Sequence, residues 1–213
     1  MFIDRADAGA RLAARLAHLR PVRPLVLGLA RGGVVVAAEV ARRLDADLDA
    51  VVVRKVGVPW HPELGVGAIA EGGIVLLNPA LIAELGLARA DIARVIRRER
   101  RVLRERVAEY RRDRPATALA GRVVVLVDDG LATGFTARAA IASARRRGAE
   151  RVVLASPVAP PSVVAQLRPL VDEIVVVDEP DFFTSIGEHY LDFSETTDDD
   201  VRRLLGTARP AVA

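Results

Sequence analysis

Two adjacent carboxylates, Asp128 and Asp129, stand between five apolar residues, Val123–Val127, and a short loop at 130–136 that is small and polar except for Leu131 and Phe135. A buried parallel strand is continuous in apolar residues rather than alternating, so 123–127 reads as a fully buried strand. Residues 137–147 read as the helix that follows. In open α/β sheets ligands sit outside the carboxyl ends of the strands, which is where this order puts the acids and the loop. The groups on offer suit a phosphorylated sugar. The loop glycines let backbone N–H groups turn toward one point, and the helix N-terminus adds partial positive charge. Thr133 and Thr136 add hydroxyl donors. Ionised carboxylates are acceptors only, which matches a pair of sugar hydroxyls. No Gly-Lys-Ser/Thr occurs, so this is not a Walker-type loop.

The spelling VVVLVDDGLATGFT, residues 123–136, resembles the phosphoribosyl-diphosphate (PRPP) signature of the type I phosphoribosyltransferases: a hydrophobic strand, two acids, then Gly, Ala and Thr with a Thr-Gly pair. DDGLATG is most similar to the adenine-type members. The resemblance implies an α/β, Rossmann-like phosphoribosyltransferase fold: a mostly parallel sheet flanked by helices, with a lid and a C-terminal hood. It also implies a reaction, displacement of magnesium-bound diphosphate from C1 of PRPP by a nitrogenous base in nucleotide salvage. The implied cofactor is Mg2+, held mostly through substrate oxygens, and the implied partners are PRPP and a small-molecule acceptor. Asp128 and Asp129 would be the catalytic acids at the ribose. Gly130, Leu131, Ala132, Thr133, Gly134, Phe135 and Thr136 would hold the 5′-phosphate. The transition state should carry positive charge on the ribose, which the acids oppose.

The rest of the chain must position these groups. Residues 6–19 have helical composition, ended by Pro21 and Pro24. Leu25–Leu29 is an apolar strand, Ala30-Arg31-Gly32-Gly33 a turn, and 34–44 a helix, which repeats the layout around the acid pair. ARGG resembles the family's pyrophosphate loop, so Ala30, Arg31, Gly32 and Gly33 would face the diphosphate. Residues 49–53 read as the next strand, ending in Arg54 and Lys55. Adjacent cations at a strand end suggest an anion there. RKVGVP resembles the RK-x-G-x-P of adenine-type transferases, whose basic residues meet the diphosphate, although Val58 stands where that group often has a further Lys.

Residues 57–73 hold five glycines with Trp60, His61, Glu63 and Glu71. The resemblance makes this a mobile lid, with Glu63 as the candidate catalytic carboxylate. Residues 66–70 and 74–77 also read as a plain hairpin through Gly72-Gly73. Residues 87–112 form a long helix whose Ile92, Ile96, Leu103, Val107 and Tyr110 share one face. Eleven arginines stand against five acids between 89 and 114; the expected role is a solvated amphipathic face remote from the strand ends. Strand 151–155, helix 162–167 and strand 173–177 follow, completing an alternation that implies a parallel sheet. PDFFTSIGEHYLDF, residues 180–193, resembles the hood segment of hypoxanthine-guanine transferases, where an aromatic stacks on the base and an Asp meets a magnesium. Phe182 and Phe183 are the hood candidates and Asp192 the metal candidate, with Phe183 and Asp192 spaced two residues wider than in that group. The alternative is that Phe182, Phe183 and Tyr190 are core. A short helix begins near 197, and the last residues are expected to fray.

The length, 213 residues, allows one domain with a substantial core: a transferase domain over 1–213, with the resemblance spanning about 22–193. Apolar residues are 51% of the chain, which excludes wholesale disorder. Zero cysteines exclude disulfide and thiolate chemistry and fit a cytoplasmic location. The start MFIDRADAG has no signal-peptide pattern, and no apolar run reaches membrane-spanning length. His18, His61 and His189 have no metal-ligand spacing. A homodimer is expected, and nucleic-acid contact is not. Two other readings remain: a non-catalytic PRPP-binding regulator that contacts nucleic acid through the arginine-rich helix, and transfer to a non-base acceptor on the same fold.

Overall fold

The structure is a computed structural model that describes residues 1–112 and 117–207, with the backbone alone at 62 and 63. Five strands, β1 (Leu25–Leu29), β2 (Asp47–Val51), β6 (Val123–Val127), β7 (Arg151–Val158) and β8 (Glu173–Asp178), form a parallel sheet in the order β2-β1-β6-β7-β8. Both faces are covered, which is why β6 is apolar at every position. Val125 and Val127 face a core built with α1 (Arg5–Arg15), α2 (Gly32–Leu44) and α7 (Asp198–Thr207). Val124 and Leu126 face α5 (Phe135–Arg146) and α6 (Pro161–Leu167) on the other side. The expected alternation of strands and helices is therefore observed, with β6 in the middle of the sheet.

A second, antiparallel sheet of three strands, β3 (Val53–Val58), β4 (His61–Ala70) and β5 (Ile74–Leu77), lies beyond β2. The expected strand 49–53 is corrected here. The three successive valines 51–53 hide a break at Val52, whose N–H is taken by Glu71 Oε1 at 2.9 Å instead of by a strand. Arg54 and Lys55 consequently lie inside β3, not at the end of a main-sheet strand. Residues 66–77 form the hairpin, with Gly72 and Gly73 in its connection, both at φ +77°. Pro59 and Trp60 make the β3–β4 turn, and Trp60 is exposed.

A short helix not foreseen in the sequence, α3 (Pro79–Glu84), follows; Asn78 caps it by accepting the Leu81 N–H at 3.1 Å. Helix α4 (Arg89–Tyr110) buries Ile92, Leu103 and Tyr110 and half-buries Ile96 and Val107, the face its sequence marks. It packs against β3 and α7, where Tyr110 donates to Asp198. Among the described residues no helix is long and apolar enough to cross a membrane. The expected fraying of the C-terminus falls on residues outside those described.

Candidate active site

The acid pair stands at the carboxyl end of β6 between two turns. Asp128 Oδ1 accepts the Asp129 N–H at 3.0 Å. Burial, then the neighbouring Asp129 charge, push the Asp128 carboxyl well above the usual carboxylate range. Asp129 Oδ2 accepts from Arg5 Nε at 2.8 Å, with these two side chains 13% and 11% exposed. Arg5 also donates to the Ser194 carbonyl at 2.7 Å and lies 3.9 Å from the Phe193 ring centroid. Tyr190 donates its hydroxyl to the Asp129 carbonyl at 2.6 Å, and burial raises its pKa.

The turn after β1 packs directly on this pair. A Cβ on Gly33 would lie 2.6 Å from the Val127 carbonyl oxygen and 3.0 Å from Asp128 Cα; one on Gly32 would overlap the Asp129 carboxylate. Only glycine lets the two turns approach so closely. The N–H groups of Gly32 and Gly33 find no acceptor among the described residues. Arg31 pairs with Glu195, and the Ala30–Arg31 peptide is cis. Ala30 directs its own N–H to the Val51 carbonyl at 3.1 Å.

The loop after β6 is anchored at both ends. Leu131 is fully buried and its N–H is taken by the Val158 carbonyl at 2.9 Å, so it holds the loop down. Gly134 turns the chain into α5 at φ +73°, a left-handed conformation that glycine accepts without strain. Between these anchors and the first turn of α5, the N–H groups of 132–137 find no acceptor among the described residues. Six free amides at a helix N-terminus can hold an anion. Ile186 of the hood segment covers Gly130, its Cγ1 2.8 Å from where a Cβ would stand.

The hood candidates separate. Phe183 stacks on His189 with centroids 5.4 Å apart, whereas Phe182 is 95% exposed and touches no described ring. Phe182 is thus neither core nor part of the cluster over Gly130. Tyr190 is core, as its alternative reading had it. Asp192 accepts the Ser194 hydroxyl and, at 2.9 Å, its N–H; these bonds hold its carboxyl below the usual range. The Glu63 side chain lies outside the described residues.

Arg54 and Lys55 reach the site from β3. A cavity of about 680 Å³ is lined by Ala30 and Arg31 of the first turn, Thr136 of the second, Arg54 and Lys55, and Arg94, Arg98 and Arg106 of α4. The helix expected to be remote from the strand ends therefore borders the site. Its apolar stripe was legible, but which arginines flank that stripe on the site's side depends on how α4 meets β3. Arg5, Glu195 and the Tyr190 bond to the Asp129 carbonyl carry no mark in the sequence. Arg5 is 124 residues from Asp129, and no local pattern marks it.

A parallel sheet with an acid pair and two amide-bearing turns at its carboxyl edge is the architecture of a phosphoribosyltransferase. A family profile for the phosphoribosyl transferase domain matches residues 4–192, and the chain belongs to that family. Its fold is similar to that of the protein TT1426 from Thermus thermophilus, at 49% identity and a TM-score of 0.81 over 96% of this chain and 97% of that one. Two Mycobacterium tuberculosis proteins, named "Putative phosphoribosyl transferase Rv0571c" (strain ATCC 25618 / H37Rv) and "Putative phosphoribosyl transferase MT0597" (strain CDC 1551 / Oshkosh), are each 46% identical over 208 residues. That match covers 98% of this chain and 47% of theirs, so the chain spans about half the length of the curated relatives it matches.

Proposed function

We propose that residues 1–213 form one transferase domain that moves the 5-phosphoribosyl group of PRPP, with Mg2+, to a nitrogenous base in nucleotide salvage. The observation that carries this reading is the acid pair at the end of β6, held between two turns whose amides have no acceptor among the described residues. The free N–H groups of 132–137 suit the 5′-phosphate. Those of Gly32 and Gly33, with Arg31, Arg54 and Lys55, suit the diphosphate. Asp128 and Asp129 accept from the ribose hydroxyls, and their charge favours the cation that develops at C1. The ring nitrogen gives its lone pair to C1 as the C1–O bond breaks. Diphosphate leaves with that bond's electrons, and the proton the base loses passes to Glu63 or to water. Phe183, which stacks on His189 and packs on the same apolar cluster as Ile186, is the aromatic candidate for the acceptor side.

Among the described residues no cluster of three His, Asp or Glu side chains could cage a metal ion. Such an ion would be carried mainly by diphosphate oxygens, and Asp192 of the hood segment is the one carboxylate the family resemblance offers as a ligand. Bound Mg2+ would neutralise charge on the departing diphosphate.

Calorimetric titration with PRPP in the presence and absence of Mg2+, followed by initial rates with a panel of bases, tests the reading. Binding strengthened by Mg2+ and diphosphate release with at least one base are expected. No detectable binding at millimolar PRPP would overturn the function while leaving the fold untouched.

A further inference from the structure

Helix α4 brings charge to the 680 Å³ cavity that neither turn supplies. Ion pairing sorts the cations that line it. Arg54 is held by Glu99 at 2.8 Å, Arg31 by Glu195, Arg106 by Asp198 at 4.0 Å, and Arg94 by Asp91 at 3.2 Å. Lys55 of β3 and Arg98 of α4 have no acidic partner among the described residues. Uncompensated cations gathered on one cavity raise its potential and concentrate anions there.

The chemistry of the transfer says which anion this is. In a displacement at C1 the incoming nitrogen and the departing oxygen occupy opposite faces. The hood side chains Phe183, Ile186 and Tyr190 gather beside Gly130 and Asp129, and none of them lines this cavity. The cavity instead includes Arg31 of the turn suited to diphosphate. It therefore lies on the leaving-group side, not the acceptor side.

We infer that Arg98 of α4 joins Lys55 in binding the diphosphate that leaves C1, so that α4 is a wall of the leaving-group site. The inference rests on the phosphoribosyl transfer proposed above. Neither side chain holds the fold: both are exposed and neither has a partner among the described residues.

Inorganic diphosphate and ribose 5-phosphate are titrated separately into the parent chain and into Arg98→Gln, Lys55→Gln and Arg97→Gln, with melting temperatures recorded for each. Arg97 is an exposed α4 residue outside the cavity and controls for overall charge. Loss of a charge-assisted contact predicts diphosphate binding weakened about tenfold or more in Arg98→Gln and Lys55→Gln. Arg97→Gln should stay within about twofold, and ribose 5-phosphate affinity should not change. Parental diphosphate affinity in Arg98→Gln, equal weakening in Arg97→Gln, or no diphosphate binding by the parent would each overturn the inference. The two readings fail separately. A parent that binds diphosphate through Arg98 but never consumes PRPP keeps this site and loses the transfer. PRPP turnover with unchanged KM and diphosphate affinity in Arg98→Gln does the reverse.

Discussion

Replacing Gly32 by alanine probes how the two turns hold the acid pair. Gly32 and Gly33 open α2, where alanine is intrinsically favoured over glycine by about 1 kcal/mol. Neither has a left-handed φ that alanine would resist. With nothing packed against them, both substitutions would stabilise the chain. A Cβ on Gly32, however, would overlap Asp129 Oδ2 and stand 2.8 Å from Asp129 Cγ and 2.9 Å from Arg5 Nε. These are the ends of side chains and can swing away. The result should be a folded chain in which Asp129 has left its position and its bond to Arg5. Losing that charged bond costs about 1.5–3 kcal/mol, partly offset by the helix gain. At about 2–4 °C per kcal/mol for a chain of this size, melting should fall by roughly 1–8 °C. A catalytic group moved by about 1 Å loses on the order of 10²-fold in rate. On Gly33 the Cβ would meet backbone, 2.6 Å from the Val127 oxygen, which cannot swing. Overpacking there costs about 1–3 kcal/mol and should disturb the sheet edge itself. Scanning calorimetry and initial rates of diphosphate release from PRPP distinguish the two variants. A Gly32→Ala chain that melts above the parent and turns over within twofold of it would refute both the packing and the role given to Asp129.

Asp128→Asn and Asp129→Asn should each lower kcat about 10²-fold with the fold intact. Asp128→Asn should also change the pH dependence of stability. The unfolded carboxyl titrates near 3.9, whereas burial and Asp129 push the folded one up. Across that window the folded state keeps a proton that the unfolded state has lost, so stability falls as pH rises through it. Asparagine should flatten that fall and raise the melting temperature at neutral pH, and a lower neutral-pH melting temperature in this variant counts against the burial argument. Neutralising Arg97, Arg101 and Arg104, all exposed and outside the anion cavity, should leave PRPP turnover within about twofold; a large fall would mean that the α4 surface used for the site is wider than Arg94, Arg98 and Arg106. Hypoxanthine and guanine should be poor acceptors. Ala132 stands where the hypoxanthine-guanine group carries an Asp before Thr-Gly, and a methyl cannot exchange a proton with the ring. Robust turnover of either 6-oxopurine that persists in Glu63→Gln defeats this.

What the sequence made legible was local. Strand β6 shows as an apolar run, the acids follow within two residues, and the loop glycine Gly134 announces a turn that only the φ +73° geometry explains. The break at Val52 was not legible, because Val51, Val52 and Val53 look alike and the group that ends the strand, Glu71, is 19 residues away. Nor was the pairing of the first residues with the hood segment. Phe2 donates its N–H to the His189 carbonyl at 2.8 Å, and Leu191 donates back to the Phe2 carbonyl at 2.9 Å. Such contacts leave no periodicity in either segment. The arginines of α4 illustrate the same limit: composition reports that there are many, and only the docking of α4 on β3 selects Arg94, Arg98 and Arg106 for the cavity.

The missed residues also explain how the chain tolerates its acid pair. At an effective dielectric of about 20, two like charges some 4 Å apart repel by about 4 kcal/mol, a large share of the stability of an ordinary domain. Among the described residues one guanidinium touches the pair, that of Arg5, and it offsets one of the two charges. Arg5 is itself fixed by the Phe193 ring and the Ser194 carbonyl, so the segment that caps the site also fixes the counter-charge. Asp128 receives one backbone N–H and no cation from those residues, and it keeps the raised affinity for a proton that its burial imposes. A residual cost of this kind persists in natural chains where function needs it, because neutral side chains at the same positions would be more stable. The arginines of α4 impose no comparable cost, since most are solvated or paired. The half-compensated acid pair at the end of β6 is therefore a group whose presence stability does not explain.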